Sequence, residues 1–297
     1  MSFDGFIVID KPAGVTSFAM VSLMRRLTGV RRIGHAGTLD PLATGVLPVA
    51  IGVATRFIEY LDDEAKTYVA TVRFGITTDT YDADGEVTAR ADASKLTREA
   101  VEAAFARFVG EIEQTPPAYS AIKVAGKPLY RYAREGAEVA ISPRRVRIDA
   151  IRLLSFDAER AEATIEVDCG KGTYIRSLAH DAGQALGCGA HLTALRRTRS
   201  GGFGIEEAHT RDAIARAAAE ETLDELLLAP DRAVERRPAA IFADARSRDV
   251  LSGRDLRIER ASEADLCRAY SVEGAFLGLL RNLGEGSWHP EKVLQEG

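Results

Sequence analysis

At 297 residues, with 46% hydrophobic and 28% charged side chains, the chain has the make-up of a soluble globular protein and is long for one domain, which predicts a large domain plus a small one. A formal net charge of −5 excludes a protein that coats nucleic acid indiscriminately, because such binding rests on neutralising phosphates. Cys169, Cys188 and Cys267 are far apart and outside any C-x-x-C pair, the N-terminus MSFDGFIVIDKPAG lacks a signal pattern, and no apolar run reaches the roughly 18 residues of a membrane span, so the chain reads as cytoplasmic, without disulfides, zinc or a membrane anchor.

The apolar run Phe6–Ile9 predicts a strand, closed by a turn at Asp10-Lys11-Pro12-Ala13-Gly14. Thr16 or Ser17 can cap a helix that carries Phe18, Val21, Leu23, Met24 and Leu27, with Arg25 and Arg26 in its last turns and Gly29 at its end. Next comes GHAGTLDPLATGVLP, Gly34 to Pro48. Its one carboxylate, Asp40, sits among glycines and prolines; Pro41 biases Asp40 toward extended or turn geometry, and the glycines permit positive φ or close approach to a ligand. From the residues alone this is equally an ordinary Asp-Pro turn.

Val46–Ile51 suits a buried strand, Ala54–Leu61 a short helix, and Lys66–Gly75 a half-exposed strand in which Tyr68 reads as a core aromatic with its hydroxyl at the surface. TTDTYDADG, Thr77 to Gly85, is acidic but lacks the closing glutamate of an EF-hand, so no metal site is expected. Thr97 can cap a helix whose stripe is Val101, Phe105, Phe108 and Ile112.

From Gln114 to Gly136, Tyr119, Tyr130 and Tyr132 alternate with Lys123, Lys127, Arg131 and Arg134. Aromatics among cations suit a surface that touches bases and phosphates together. Between Lys123 and Arg152 eight cations face three acids, Glu135, Glu138 and Asp149, a solvated run or a phosphate-binding face. Arg145–Leu154 and Ala163–Asp168 read as central strands; Cys169–Leu178 reads as a glycine turn entering a helix, without the spacing of a nucleotide-binding loop. Gly189–Thr198 reads as another strand and Thr210–Leu228 as helical; after Pro230, short apolar runs such as Ala275–Leu280 predict a small β-rich appendage.

Gly34, His35, Gly37, Leu39, Asp40, Pro41, Ala43, Thr44 and Gly45, together with the K-P-x-G-x-T-S element Lys11–Ser17, the K-x-Y of Lys66–Tyr68 and the G-T-Y-I-R of Gly172–Arg176, resemble the TruB family of tRNA pseudouridine synthases over roughly residues 5 to 205. The resemblance implies an α+β pseudouridine synthase fold, a mixed or largely antiparallel sheet flanked by helices, over residues 1–230. It also implies an RNA-clamping insertion at about 114–150 and a PUA-like RNA-binding domain over 231–297. Asp40 is then the catalytic residue, Arg176 its partner, and Tyr68 a neighbour that stacks on the uracil and is a candidate base. Tyr174 and Leu195 fall at the uracil pocket, His35 at the space vacated by a flipped nucleotide, and Lys123, Lys127 and Arg131 on the clamp. Lys11 counts among the RNA-contacting residues although its element reads as support beneath the loop.

The implied reaction isomerises uridine 55 in the TΨC stem-loop of tRNA, by a monomer using no metal or cofactor, since breaking N1–C1′ and joining C5–C1′ changes no oxidation state. Rival readings are a guide-RNA-dependent synthase of the same superfamily, an RNA chaperone, and a glycoside hydrolase, the last disfavoured because the motifs place only one acid where a pair is required.

Overall fold

The run Phe6–Ile9 does lie in a strand, β1 (Gly5–Lys11), deep in the protein. The computed structural model describes residues 3–62, 65–120, 122–137, 139–258 and 263–294. Thr16 caps α1 (Ser17–Thr28), its hydroxyl accepting from Ala19 N–H at 3.1 Å, and Gly29 ends the helix at φ 70°, the left-handed cap that glycine adopts without strain. Strands β2 (Ile33–His35) and β3 (Thr44–Ile51) pair antiparallel around loop 36–43. A 3-10 turn and α2 (Ile58–Asp62) follow, then β4 (Lys66–Phe74), the hairpin β5 (Ile76–Thr78) and β6 (Val87–Arg90), α3 (Arg98–Ala106) and β7 (Gly110–Gln114).

The insertion carries a two-stranded hairpin, β8 (Lys123–Val124) with β9 (Lys127–Pro128), and α4 (Leu129–Arg134). The chain returns as β10 (Arg144–Asp157), β11 (Glu162–Cys169), α5 (Ile175–Ala185), β12 (Ala190–Ser200), β13 (Phe203–Gly204), β14 (His209–Thr210) and α6 (Arg211–Ala219). The main sheet runs β14-β1-β3-β12-β4-β11-β10-β7, with β2 beside β3 and β13 beside β12. Only β1–β14 and β3–β12 are parallel among its pairs. This is the expected mixed, largely antiparallel α+β architecture.

Helices α1, α3, α5 and α6 cover one face, where Ile7, Met24, Leu47, Phe105, Leu178 and Ile214 share a core. A second core, with Phe6, Val46, Phe57 and Phe203, fills the other face at the β1–β3 end. The predicted stripe Val101–Ile112 divides: α3 stops at Ala106, a turn joins Phe108 N–H to Phe105 O, and Gly110 at φ 108° redirects Ile112 into β7. Helical spacing at Phe108 and Ile112 is thus produced by a turn and a strand that face the same core.

The C-terminal residues form the β-rich unit: β15 (Ala239–Phe242), α7 (Asp244–Leu251), β16 (Leu256–Arg257), β17 (Leu266–Ser271), β18 (Phe276–Gly284) and β19 (Ser287–Val293), in sheet order β15-β17-β18-β19-β16. Trp288, Leu280 and Val250 make its core. It rests on the first unit through the Phe57 and Phe276 rings, 5.6 Å apart, and through Arg56, which donates to Val293 O at 2.6 Å. Among the described residues no helix is long and apolar enough to cross a membrane.

Candidate active site

Loop 36–43 is clamped from behind by the segment after β1. Ser17 bonds Leu39 twice, its hydroxyl donating to Leu39 O at 3.0 Å and accepting from Leu39 N–H at 2.9 Å. Gly14 N–H donates to Pro41 O at 2.9 Å. Lys11 Nζ donates to Val15 O, Pro12 O and Pro41 O at 2.8, 2.9 and 3.3 Å. At Gly45 the backbone takes φ 97° and an added Cβ would fall 2.2 Å from Arg197 O, so only glycine lets β3 pass β12 there.

Asp40 emerges from this frame facing α5. Its carboxylate meets Arg176 Nη2 at 2.9 Å, and Arg176 Nη1 meets a second carboxylate, Asp82, at 3.3 Å. The same guanidinium donates to Thr80 O at 3.1 Å and Tyr119 O at 2.9 Å. The Arg176 side chain is 5% exposed, that of Asp40 39%. Burial raises the Asp40 carboxyl above its usual range; Arg176 pulls it back, Asp82 raises it further, and Lys11 lowers it. One cation shared by two acids cannot fully offset the desolvation of both, which accounts for the upward direction. Lys11 itself is lowered to about 8 by burial, partly opposed by Asp40.

Around Asp40 opens a cleft of about 630 Å³, large enough for a nucleotide-sized group. Tyr68 on β4, Leu195 and Arg197 on β12, and Tyr174 at the start of α5 line it. Tyr68 and Leu195 are almost wholly buried. Burial raises the Tyr68 phenol, while the neighbouring Arg197 cation opposes the rise, so at neutral pH Tyr68 carries its proton. Arg197 is fully buried; it donates from Nε to Val46 O at 2.7 Å and from Nη2 to Gly37 O at 2.8 Å, tying the loop to β12. Its Nη1 has no hydrogen-bond acceptor among the described residues. Tyr174 is held by Gln114 at the end of β7, whose Oε1 accepts from Tyr174 N–H at 2.8 Å and whose Nε2 donates to Tyr174 O at 3.0 Å.

Residues 25–175 match the N-terminal domain of TruB family pseudouridylate synthases, and residues 176–235 match the tRNA pseudouridylate synthase B C-terminal domain. The chain belongs to the TruB family. A protein called tRNA pseudouridine synthase B from Chromobacterium violaceum is 48% identical, with 98% of this chain and 94% of that one covered. One of the same name from Dehalococcoides mccartyi is 41% identical, at 98% and 96% coverage. Among solved structures, an H/ACA RNP bound to a substrate RNA containing 2′-deoxyuridine superposes with a TM-score of 0.75 at 26% identity, covering 98% of this chain and 85% of that one. A Cbf5–Nop10–Gar1 complex gives 0.73 at 28% identity, covering 96% and 80%. As a member of this family the chain is a pseudouridine synthase, an isomerase.

The family motifs bring Asp40, Tyr68, Tyr174, Arg176 and Leu195 to one cleft. Lys11 does not join them: it is fully buried, with its ammonium on three carbonyls, so it braces the loop and is closed to RNA. His35 lies on β2, opposite Val49, and does not line the cleft. Lys123, Lys127 and Arg131 lie on the insertion away from the cleft wall; Lys127 pairs with Glu135 and sits 4.5 Å from the centre of the Tyr132 ring. Of the counted charge excess, Glu138 and the side chain of Arg134 lie outside the described residues. Arg144, Arg145 and Lys171 instead reach the cleft rim. Asp82, Gln114 and Arg197 are the site residues that sequence reasoning missed. Two faint signals existed: Asp82 as one of three acids in the turn-like TTDTYDADG, and a glutamine ending a strand before Pro116-Pro117.

Proposed function

We propose that the chain converts uridine 55 in the TΨC stem-loop of tRNA to pseudouridine, as a stand-alone, cytoplasmic, monomeric enzyme. The observation that carries this is the Asp40–Arg176 pair at the floor of a cleft walled by Tyr68, Tyr174 and Leu195, together with relatives named for tRNA. The target base must leave its stack to enter such a cleft. Asp40 supplies negative charge where N1–C1′ breaks, as nucleophile at C1′ or C6 or as the partner of a cationic sugar on a glycal path. Arg176 holds that carboxylate in one orientation, and an arginine stays charged even at 5% exposure. Tyr68, keeping its proton, packs against the uracil while the base turns to present C5 to C1′; once C5–C1′ has formed, C5 gives its proton to solvent and N1, freed of C1′, takes one up, so the isomerisation balances. His35, outside the cleft, fills the space the flipped nucleotide vacates or touches its phosphate, the insertion at about 114–150 with Lys123, Lys127 and Arg131 grips the stem-loop, and 231–297 serves as a PUA-like RNA-binding domain after a catalytic domain of 1–230.

Single-nucleotide pseudouridine mapping on unmodified tRNA, with wild type and Asp40→Asn and with no guide RNA, tests the reading. Conversion of uridine 55 by wild type alone is the expected result. Binding without conversion by either protein would favour a guide-dependent synthase or a chaperone. A Tyr68→Phe variant should retain turnover; total loss would show that the phenol takes a proton in the reaction.

A further inference from the structure

Between Asp10 and Asp40 the sequence contains no acid, yet it carries five cations, Lys11, Arg25, Arg26, Arg31 and Arg32. In a chain of net charge −5 this is a marked local asymmetry. Lys11 is internal, but all four arginines are exposed. Arg25 and Arg26 occupy the last turn of α1, where cations offset the negative end of the helix dipole. That explanation ends at Gly29 and does not reach Arg31 and Arg32.

The two pairs are brought to one end of the α1–β2 corner. Arg25 Nη2 donates to Ile33 O at 3.2 Å, so the helix is laced to the strand that directly follows Arg31 and Arg32. The Arg25 guanidinium also lies 5.7 Å from the centre of the Phe18 ring, an aromatic 61% exposed at the start of the same helix. Several other surface arginines are neutralised: Arg152 pairs with Glu166, Arg232 with Glu207, and Arg281 with Glu291. Among the described residues no carboxylate pairs with Arg25, Arg26, Arg31 or Arg32. From Arg32, β2 runs only to His35 before loop 36–43 and Asp40. At about 3.3 Å per residue the patch begins roughly 10 Å from His35 along the strand.

We propose that Arg25, Arg26, Arg31 and Arg32, with Phe18 stacked against Arg25, form an RNA-binding surface that holds the phosphates of the helical stem next to the target loop. The inference rests on the reading of the substrate as a structured RNA. Exposed guanidiniums without a carboxylate partner or a concave pocket suit backbone phosphates, which are contacted for position and not for sequence. The surface is distinct from the basic insertion, being built from α1 and the approach to β2.

The test is equilibrium binding of unmodified tRNA by wild type and by Arg31→Glu/Arg32→Glu across a salt series, with steady-state turnover beside it and Arg31→Ala/Arg32→Ala as a milder pair. At slopes of about 0.7 to 0.9 per phosphate neutralised, losing two contacts should lower the slope of log affinity against log salt by about 1.5. Affinity at low salt should fall tenfold or more and KM should rise, with kcat at saturating tRNA near wild type. A merely structural role would lower the melting temperature and leave the salt slope in place. Unchanged affinity and slope in both double variants would overturn the surface. Failure of the wild type to modify any tRNA would instead overturn the reading of the substrate, and the two failures are separable because binding and conversion are measured on the same samples.

Discussion

Replacing Gln114 with alanine would show how far one buried amide holds the start of α5, the helix that carries Arg176. Gln114 is 1% exposed and makes both of its hydrogen bonds to the backbone of Tyr174, two residues before Arg176. In the variant Tyr174 O keeps the Leu178 N–H at 3.1 Å, so one group alone, Tyr174 N–H, loses its partner. A buried donor left without an acceptor costs about 1–3 kcal/mol. The lost side-chain methylenes add about 1 kcal/mol, for a total of about 2–4 kcal/mol. Gln114→Met restores the packing and should leave only the first contribution. Urea unfolding measures both, and single-turnover conversion of saturating tRNA measures the consequence. Because displacing a group by about 1 Å can cost a hundredfold in rate, the alanine variant should be ten- to a hundredfold slower. If both variants unfold within about 0.5 kcal/mol of wild type and turn over normally, the amide does not hold this helix.

Asp82→Asn removes a charge that raises Asp40, so the acid limb of the kcat/KM profile should move to lower pH while kcat falls; a limb that moves upward would refute the shared-cation account. Asp40 has a folded-state carboxyl above its unfolded value of about 3.9, so the stability it contributes is present below that value and is lost as pH rises through the folded one. Asp40→Asn should therefore resist urea at pH 7 at least as well as wild type, with the difference shrinking toward pH 4, and a clearly weaker variant at pH 7 would contradict the burial argument. Gly45→Ala combines φ 97° with a contact of 2.2 Å to Arg197 O and should cost about 3 kcal/mol or more, read as a lowered melting temperature; a wild-type melting curve would mean that β3 and β12 can part at little cost.

Local chemistry was the most legible part of the fold. Thr16 and Gly29 bound α1 as their types require, and the alternation in Lys66–Phe74 reports a strand with one face inside. Asp40 could be singled out because its loop matches the family motif; the lone acid in a stiff loop by itself left an ordinary Asp-Pro turn equally open. Asp82 could not, since a turn rich in acids looks solvated until Arg176, distant in sequence, closes over it. Arg197 likewise reads as one of several basic residues on β12; its neighbours Arg196 and Arg199 point to the other face and pair with Asp10 and Asp168, and strand alternation alone does not say which face is the cleft. Lys11 erred in the opposite direction: a motif lysine near an RNA-modifying loop suggests phosphate, whereas three backbone carbonyls take its protons.

Tyr119 O, which receives Arg176 Nη2, belongs to the root of the insertion, as does Thr115 O, which receives the hydroxyl of Ser177. The insertion and Asp40 therefore share a fulcrum. Any displacement of that root strips an acceptor from the guanidinium that orients Asp40, and any change in the charge of Asp40 is felt where the insertion is anchored. If the insertion grips the stem-loop as proposed, RNA binding there and the state of the Asp40 carboxylate act on one guanidinium, and any coupling between them is reciprocal, each altering the other by the same free energy.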